Sequence, residues 1–183
     1  MLRYVEGAYI FCGSQREKKM AATTTVLKFG GTCVAEAPLR AIVRGWSTPV
    51  VVVVSAVAGV TEALLQNDWG FVREKHRAWA ARRGLGWSAA DRVLENARER
   101  ARHVPDPEKR AAYVASVGEK CASVLVADLL GGEAVWADQG LVECEGGSLL
   151  DGRVKRVGTL PPARGGKVRV VTGFLGRERR TGA

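Results

Sequence analysis

Five consecutive valines, Val50–Val54, constrain this chain more than any other feature. Branching at Cβ favours extended backbone. A run with no polar alternation offers no face to water, so such a strand must be covered on both sides. That is the condition inside a parallel sheet packed between helices. A second strand is expected over Thr23–Phe29, closed by Gly30-Gly31. A third is expected over Val168–Thr172, closed by Gly173, and a short one over Glu133–Ala137.

Helical patterns fill the intervals. Pro38 suits a first turn, and Leu39, Ile42, Val43 and Trp46 then fall on one face, with Gly45 and Ser47-Thr48-Pro49 as the stop. After Gly59, Thr61 begins another helical pattern. Trp69, Val72, His76 and Trp79 share a face that ends at Gly84 and Gly86. Ser88 with Asp91 resembles a capping box before Leu94, Ala97 and Ala101, and Pro105 and Pro107 end that helix. A last helix is expected over Ser116–Leu130, with Val117, Cys121, Val124 and Leu125 on one side and Gly131-Gly132 at its end. Val142–Arg164 has the composition of a loop. Strands alternating with helices predict an α/β fold, a three-layer αβα sandwich with a mainly parallel sheet.

The remaining composition narrows the function. No apolar run reaches the roughly 20 residues needed to cross a bilayer, so no membrane partner is expected. The net charge of +9 suits anionic small molecules or nucleic acid. The arginines are scattered over helical stretches and the tail, without aromatic interleaving, so no nucleic-acid partner is expected. The cysteines Cys12, Cys33, Cys121 and Cys144 form no C-x-x-C and lie at no zinc spacing, which suggests reduced intracellular thiols and no protein metal ligands. Residues 1–22 read as an N-terminal extension, for which disorder is one reading and a misplaced start before Met20 another. Glu6 interrupts their apolar stretch, against a secretion signal. The domain is assigned to residues 23–183.

Three segments carry candidate chemistry. Lys28 stands at a strand end beside Gly30-Gly31 and Thr32. Glycines let backbone N–H groups approach phosphate oxygens, and a lysine adds a point charge for a transferring phosphoryl group. An isolated Gly-Gly is more often a plain turn; the lysine favours the functional reading. Ser55-Ala56-Val57-Ala58-Gly59-Val60-Thr61 follows the valine strand, where α/β proteins place ligand contacts. Its hydroxyls at Ser55 and Thr61 could bind a carboxylate or an amine, or serve as helix caps. Gly118-Glu119 reads as lying near a helix start, where an acid is often only dipole compensation; it could instead meet a substrate ammonium. Gly166-Lys167 is followed by Val168, so there is no P-loop, and no G-x-G-x-x-G is present.

Taken together, these segments resemble the aspartate kinases of the amino-acid kinase family. The family's K-F-G-G-T-S-V strand matches Lys28-Phe29-Gly30-Gly31-Thr32-Cys33-Val34. Its S-A-x-x-G-V-T-like turn matches Ser55 through Thr61, its G-E pair matches Gly118-Glu119, and its V-T-G-F-x-G matches Val171-Thr172-Gly173-Phe174-Leu175-Gly176. The resemblance implies the amino-acid kinase fold and phosphoryl transfer from ATP, with Mg²⁺, to the side-chain carboxylate of L-aspartate. That reaction is the first step of lysine, threonine and methionine biosynthesis. Lys28 would stabilise the transferring group, Gly30, Gly31 and Thr32 would contact the phosphates, and Ser55, Thr61 and Glu119 would hold aspartate. The family implies a homo-oligomer in the cytoplasm, or in a plastid for a photosynthetic eukaryote.

Departures are visible. Cys33 stands where serine is usual, and Glu62 stands where asparagine is common, adding negative charge beside the carboxylate site. Some members carry an arginine two residues after the aspartate that Asp138 matches; here it is Gly140. The family continues into a T-L-G-R-G-G-S-D-like segment and an ATP-binding half. Residues 23–183 are therefore expected to be a partial amino-acid kinase domain, its N-terminal, substrate-side lobe, with little activity alone. Alternatives are an inactive ligand- or subunit-binding module, or the kinase portion of a fused aspartate kinase–homoserine dehydrogenase.

Overall fold

A computed structural model describes the backbone of residues 2–5 and 8–11, and residues 24–146, 152–160 and 168–178 in full. Its elements in chain order are β1 (Leu2–Val5), β2 (Ala8–Phe11), β3 (Thr25–Phe29), α1 (Gly31–Glu36), α2 (Leu39–Arg44), β4 (Val50–Val54) and α3 (Val60–Leu65). There follow α4 (Trp69–Ala81), α5 (Ser88–Arg102), α6 (Pro107–Leu130), β5 (Glu133–Val135), β6 (Val142–Glu145), β7 (Arg153–Val157), β8 (Arg169–Thr172) and β9 (Arg177–Glu178).

The main sheet has the order β1-β2-β3-β4-β8-β5. Strands β3, β4, β8 and β5 run parallel, and the β1–β2 hairpin joins antiparallel at the β3 side. The valine strand lies in its middle. Val52 and Val54 are fully buried in the main core and Val51 in a smaller cluster on the opposite face, so the strand is covered on both sides. Each of α1 to α6 sends residues into the main core, against Leu27, Phe29, Val52, Val54 and Val170. The other face meets Ala137, Leu141, Val142, Leu160 and Leu175, beside a small sheet of order β7-β6-β9. Among the described residues, then, helices cover one face and the small sheet with its flanks covers part of the other.

Several local expectations are corrected. Two short helices replace the single one after β3, with Pro38 as the residue before α2. Trp46 lies beyond α2 and is 37% exposed, off the apolar face. Ser88 is already helical and no side chain caps α5, while Asp91 turns to Arg73 at 3.5 Å; there is no capping box. Pro107 ends nothing: it opens α6, with the Asp106 carboxylate accepting from the amides of Glu108 and Lys109. Strands β6 and β7 occupy a stretch read as loop, because both are short and neither buries an apolar face: β6 is half-buried and β7 exposed throughout. Tyr9 pairs with Lys28 and Ala8 with Phe29, strands that the reading of residues 1–22 did not include. The expectations for residues 12–23 and for Gly166-Lys167 lie outside the described residues.

Candidate active site at the strand ends

Phe29, Val54 and Thr172 are in register, so β3, β4 and β8 end level and their following turns cluster. The turn after β3 abuts the turn after β4. The amide of Ser55 donates to the Phe29 carbonyl at 3.1 Å, and that of Ala58 to the Gly31 carbonyl at 3.2 Å. A Cβ at Gly31 would lie 2.6 Å from the Ala56 carbonyl oxygen, so the close approach itself demands glycine. At Gly30 an added Cβ meets nothing within 4 Å, leaving its backbone open. Gly59, with φ +78°, turns the chain into α3.

Lys28 alternates with the buried Leu27 and Phe29, which places it on the sheet face away from the helices. Its ammonium donates to Ser55 Oγ at 3.4 Å, a long bond that joins the first two predicted segments. Thr32 and Thr61 are exposed in the first turns of α1 and α3.

Glu119 arrives from the helical layer. A Cβ at Gly118 would lie 2.8 Å from Val60 Cγ1 and 2.9 Å from the Ala56 Cβ, so this glycine lets α6 press against the start of α3. The next residue, Glu119, is 5% exposed, and its Oε2 accepts from the Phe174 amide at 2.9 Å. Burial pushes its carboxyl up to about 7, against the pull of the Phe174 and Gly173 amides and the charge of Lys28. The expectation that Glu119 sits near a helix start is overturned. Helix α6 begins at Pro107, and dipole compensation, which fades within the first turn, cannot explain this acid.

Of the residues singled out in the sequence, Lys28 is bonded to Ser55 and its charge reaches Glu119. Sequence reasoning did not identify the Phe174 amide as the partner of Glu119, although the glycine closing a strand just before it was visible. Nor did it find the ion pair between Lys120 and Asp138, at 2.6 Å, on the neighbouring strand end. Among the described residues no cluster of three His, Cys, Asp or Glu could hold a metal ion, and no helix is long and apolar enough to cross a membrane.

A mainly parallel sheet whose strand C-termini gather a lysine and a hydroxyl, with a buried acid reaching that edge from the helical layer, defines an α/β protein, and that edge is where such folds place ligands. Residues 23–182 match the amino acid kinase family, and the chain belongs to it. The fold is also that of solved aspartate kinases. Escherichia coli aspartokinase III in complex with aspartate and ADP (R-state) aligns with a TM-score of 0.65 and 20% identity, over 84% of this chain and 41% of that one. Its complex with lysine and aspartate (T-state) gives 0.60 and 21%, over 85% and 43%. The Clostridium acetobutylicum aspartate kinase gives 0.64 and 14%, over 87% and 40%. The chain thus spans about two-fifths of the length of these structures. No match is found among curated proteins.

Proposed function

We propose that the chain forms the substrate side of an aspartate kinase, which moves the γ-phosphoryl group of ATP to the side-chain carboxylate of L-aspartate. The observation that carries this reading is Glu119, a buried acid within reach of the charge of Lys28, whose ammonium meets Ser55 at the strand ends. An amino-acid substrate brings an ammonium, and ionised Glu119 is its natural partner. Ser55 and Thr61 can donate to a substrate carboxylate. Lys28 faces the transferring phosphoryl oxygens, and the open backbone at Gly30, with Gly31 and Thr32, fits an approaching phosphate. The substrate oxygen attacks the γ-phosphorus, ADP leaves, and an acyl phosphate results. The protein supplies position and charge. Mg²⁺ commonly rides on nucleotide phosphates with few protein ligands.

The test is acyl-phosphate formation, trapped with hydroxylamine, from ATP, Mg²⁺ and L-aspartate, in a protein that joins this chain to the ATP-binding half of an aspartate kinase. Lys28→Met should lower the rate at least about 100-fold, the scale of a lost electrostatic contact to the transition state. It should leave the unfolding midpoint nearly unchanged. Unaltered turnover in that variant would overturn the assignment. L-Aspartate binding without ADP release would instead assign a ligand-binding module.

A further inference from the structure

Two neighbouring residues of α6 reach the strand ends by different routes. Glu119 accepts from the Phe174 amide at 2.9 Å. Two residues back, Thr172 Oγ1 accepts from the Ala137 amide at 2.9 Å, tying the end of β8 to the end of β5. The next residue, Asp138, lies 2.6 Å from the Lys120 ammonium. The path leaves α6 at Glu119 and returns at Lys120, a closed ring. On its other side, the Gly173 amide donates to the Val54 carbonyl at 2.9 Å, fixing β8 against β4.

The returning link is built for permanence. The Lys120 and Asp138 side chains are only 12% and 25% exposed. The ammonium also faces the rings of Trp136 at 5.3 Å and Tyr113 at 5.8 Å. The second Asp138 oxygen is buried and has no hydrogen-bond partner among the described residues, so Lys120 carries the charge balance. Strand β5 has three residues and, among the described residues, pairs with β8; the turn after it is further held by the Leu141 and Val142 amides on the Ala137 carbonyl, and the Lys120–Asp138 pair ties that turn to α6. Buried ion pairs contribute little net stability, and their best-attested use is to specify an arrangement.

We propose that Lys120 and Asp138 are positioning residues for Glu119: their pair closes the ring that holds the Phe174 amide against its carboxylate. A functional role for that placement rests on the reading that Glu119 receives the substrate ammonium. The ionisable side chain whose charge reaches Glu119 is Lys28 of β3. Glu62 of α3 is exposed, Asp91 of α5 acts on Cys121, Glu95 pairs with Arg73, and Arg40 of α2 binds the Leu129 carbonyl.

The test is a carbon-13 NMR titration of the Glu119 carboxyl in the full chain. Lys120→Met and Asp138→Asn each break the pair, and Thr172→Val breaks the ring at a second point. The double variant Lys120→Met/Asp138→Asn removes both charges and keeps the fold measurable if a single one fails. With the Phe174 amide loosened, the Glu119 midpoint should rise by about 0.5 to 1 pH unit in each. L-Aspartate affinity at pH 7 should fall about twofold to fivefold, the loss closing toward pH 8.5. Folded variants with an unmoved midpoint would overturn the inference. Failure of the unaltered chain to bind L-aspartate would instead strike the proposed function, and the titration would still judge the ring.

Discussion

Acid and base should pull on the stability of this protein through two buried groups of opposite sign. His76 is 2% exposed, and its Nδ1 meets the Val72 carbonyl at 2.9 Å. Burial is the main force holding it at about 4, well below its ordinary 6.5. The unfolded chain therefore takes up a proton below pH 6.5 that the folded chain refuses until about 4, and stability drains as pH falls through that window. Glu119 does the reverse. Its folded value of about 7 lies above the ordinary 4.5, so the unfolded chain releases a proton first, and stability drains as pH rises from 4.5 to about 7. At about 1.4 kcal/mol per pH unit, each effect amounts to about 3 kcal/mol. Between pH 4.5 and 6.5 the two slopes nearly cancel.

Variants should expose the hidden slopes. Urea unfolding at half-unit pH steps would be run on the unaltered chain, His76→Leu and Glu119→Gln. Across that shared window His76→Leu should lose about 2 to 3 kcal/mol as pH rises, and Glu119→Gln should gain about as much. Surface carboxylates such as Glu99, whose value is lowered chiefly by its hydrogen bond with His103, titrate alike in all three and drop out of the comparison. Parallel pH profiles for the two variants would refute the reasoning, because they would show that neither group keeps its unusual protonation state in the folded chain.

Three further outcomes follow from the same geometry. Gly118→Ala should destabilise by about 1 to 2 kcal/mol in urea unfolding, because the overlap with Val60 and Ala56 outweighs the gain in helix propensity. Trp79→Phe should cost about 2 kcal/mol by the same assay, since the indole N–H donates to the buried Val34 carbonyl at 2.7 Å and the Arg83 guanidinium lies 4.1 Å over the ring. At pH 7, L-aspartate binding should release about half a proton from Glu119. Calorimetry in phosphate and in Tris would then give different binding enthalpies, and equal enthalpies would show that no proton leaves.

Much of the scaffold could be read along the chain, because its signals are local. An unbroken valine run has one stable environment, and the strand is buried from both faces as its pattern demands. Glycines at 30, 31, 59 and 173 mark the strand ends where the site gathers. Helix limits were less legible. The start of α6 was placed at Ser116 because prolines read as stops, whereas a proline after a capping aspartate is also a start. That single misplacement gave Glu119 the wrong environment.

The chemistry of the site was settled elsewhere. Residue type made Lys28 a cation and Glu119 a carboxyl, but no spacing along the chain reveals that Glu119 is dry or that Phe174, 55 residues away, donates to it. The same holds for the neutral imidazole of His76 and for Lys120 facing Asp138. Periodicity reports which side of an element shuns water. Desolvation and distant pairing arise when separate elements meet, and those set the protonation states on which the proposed reaction depends.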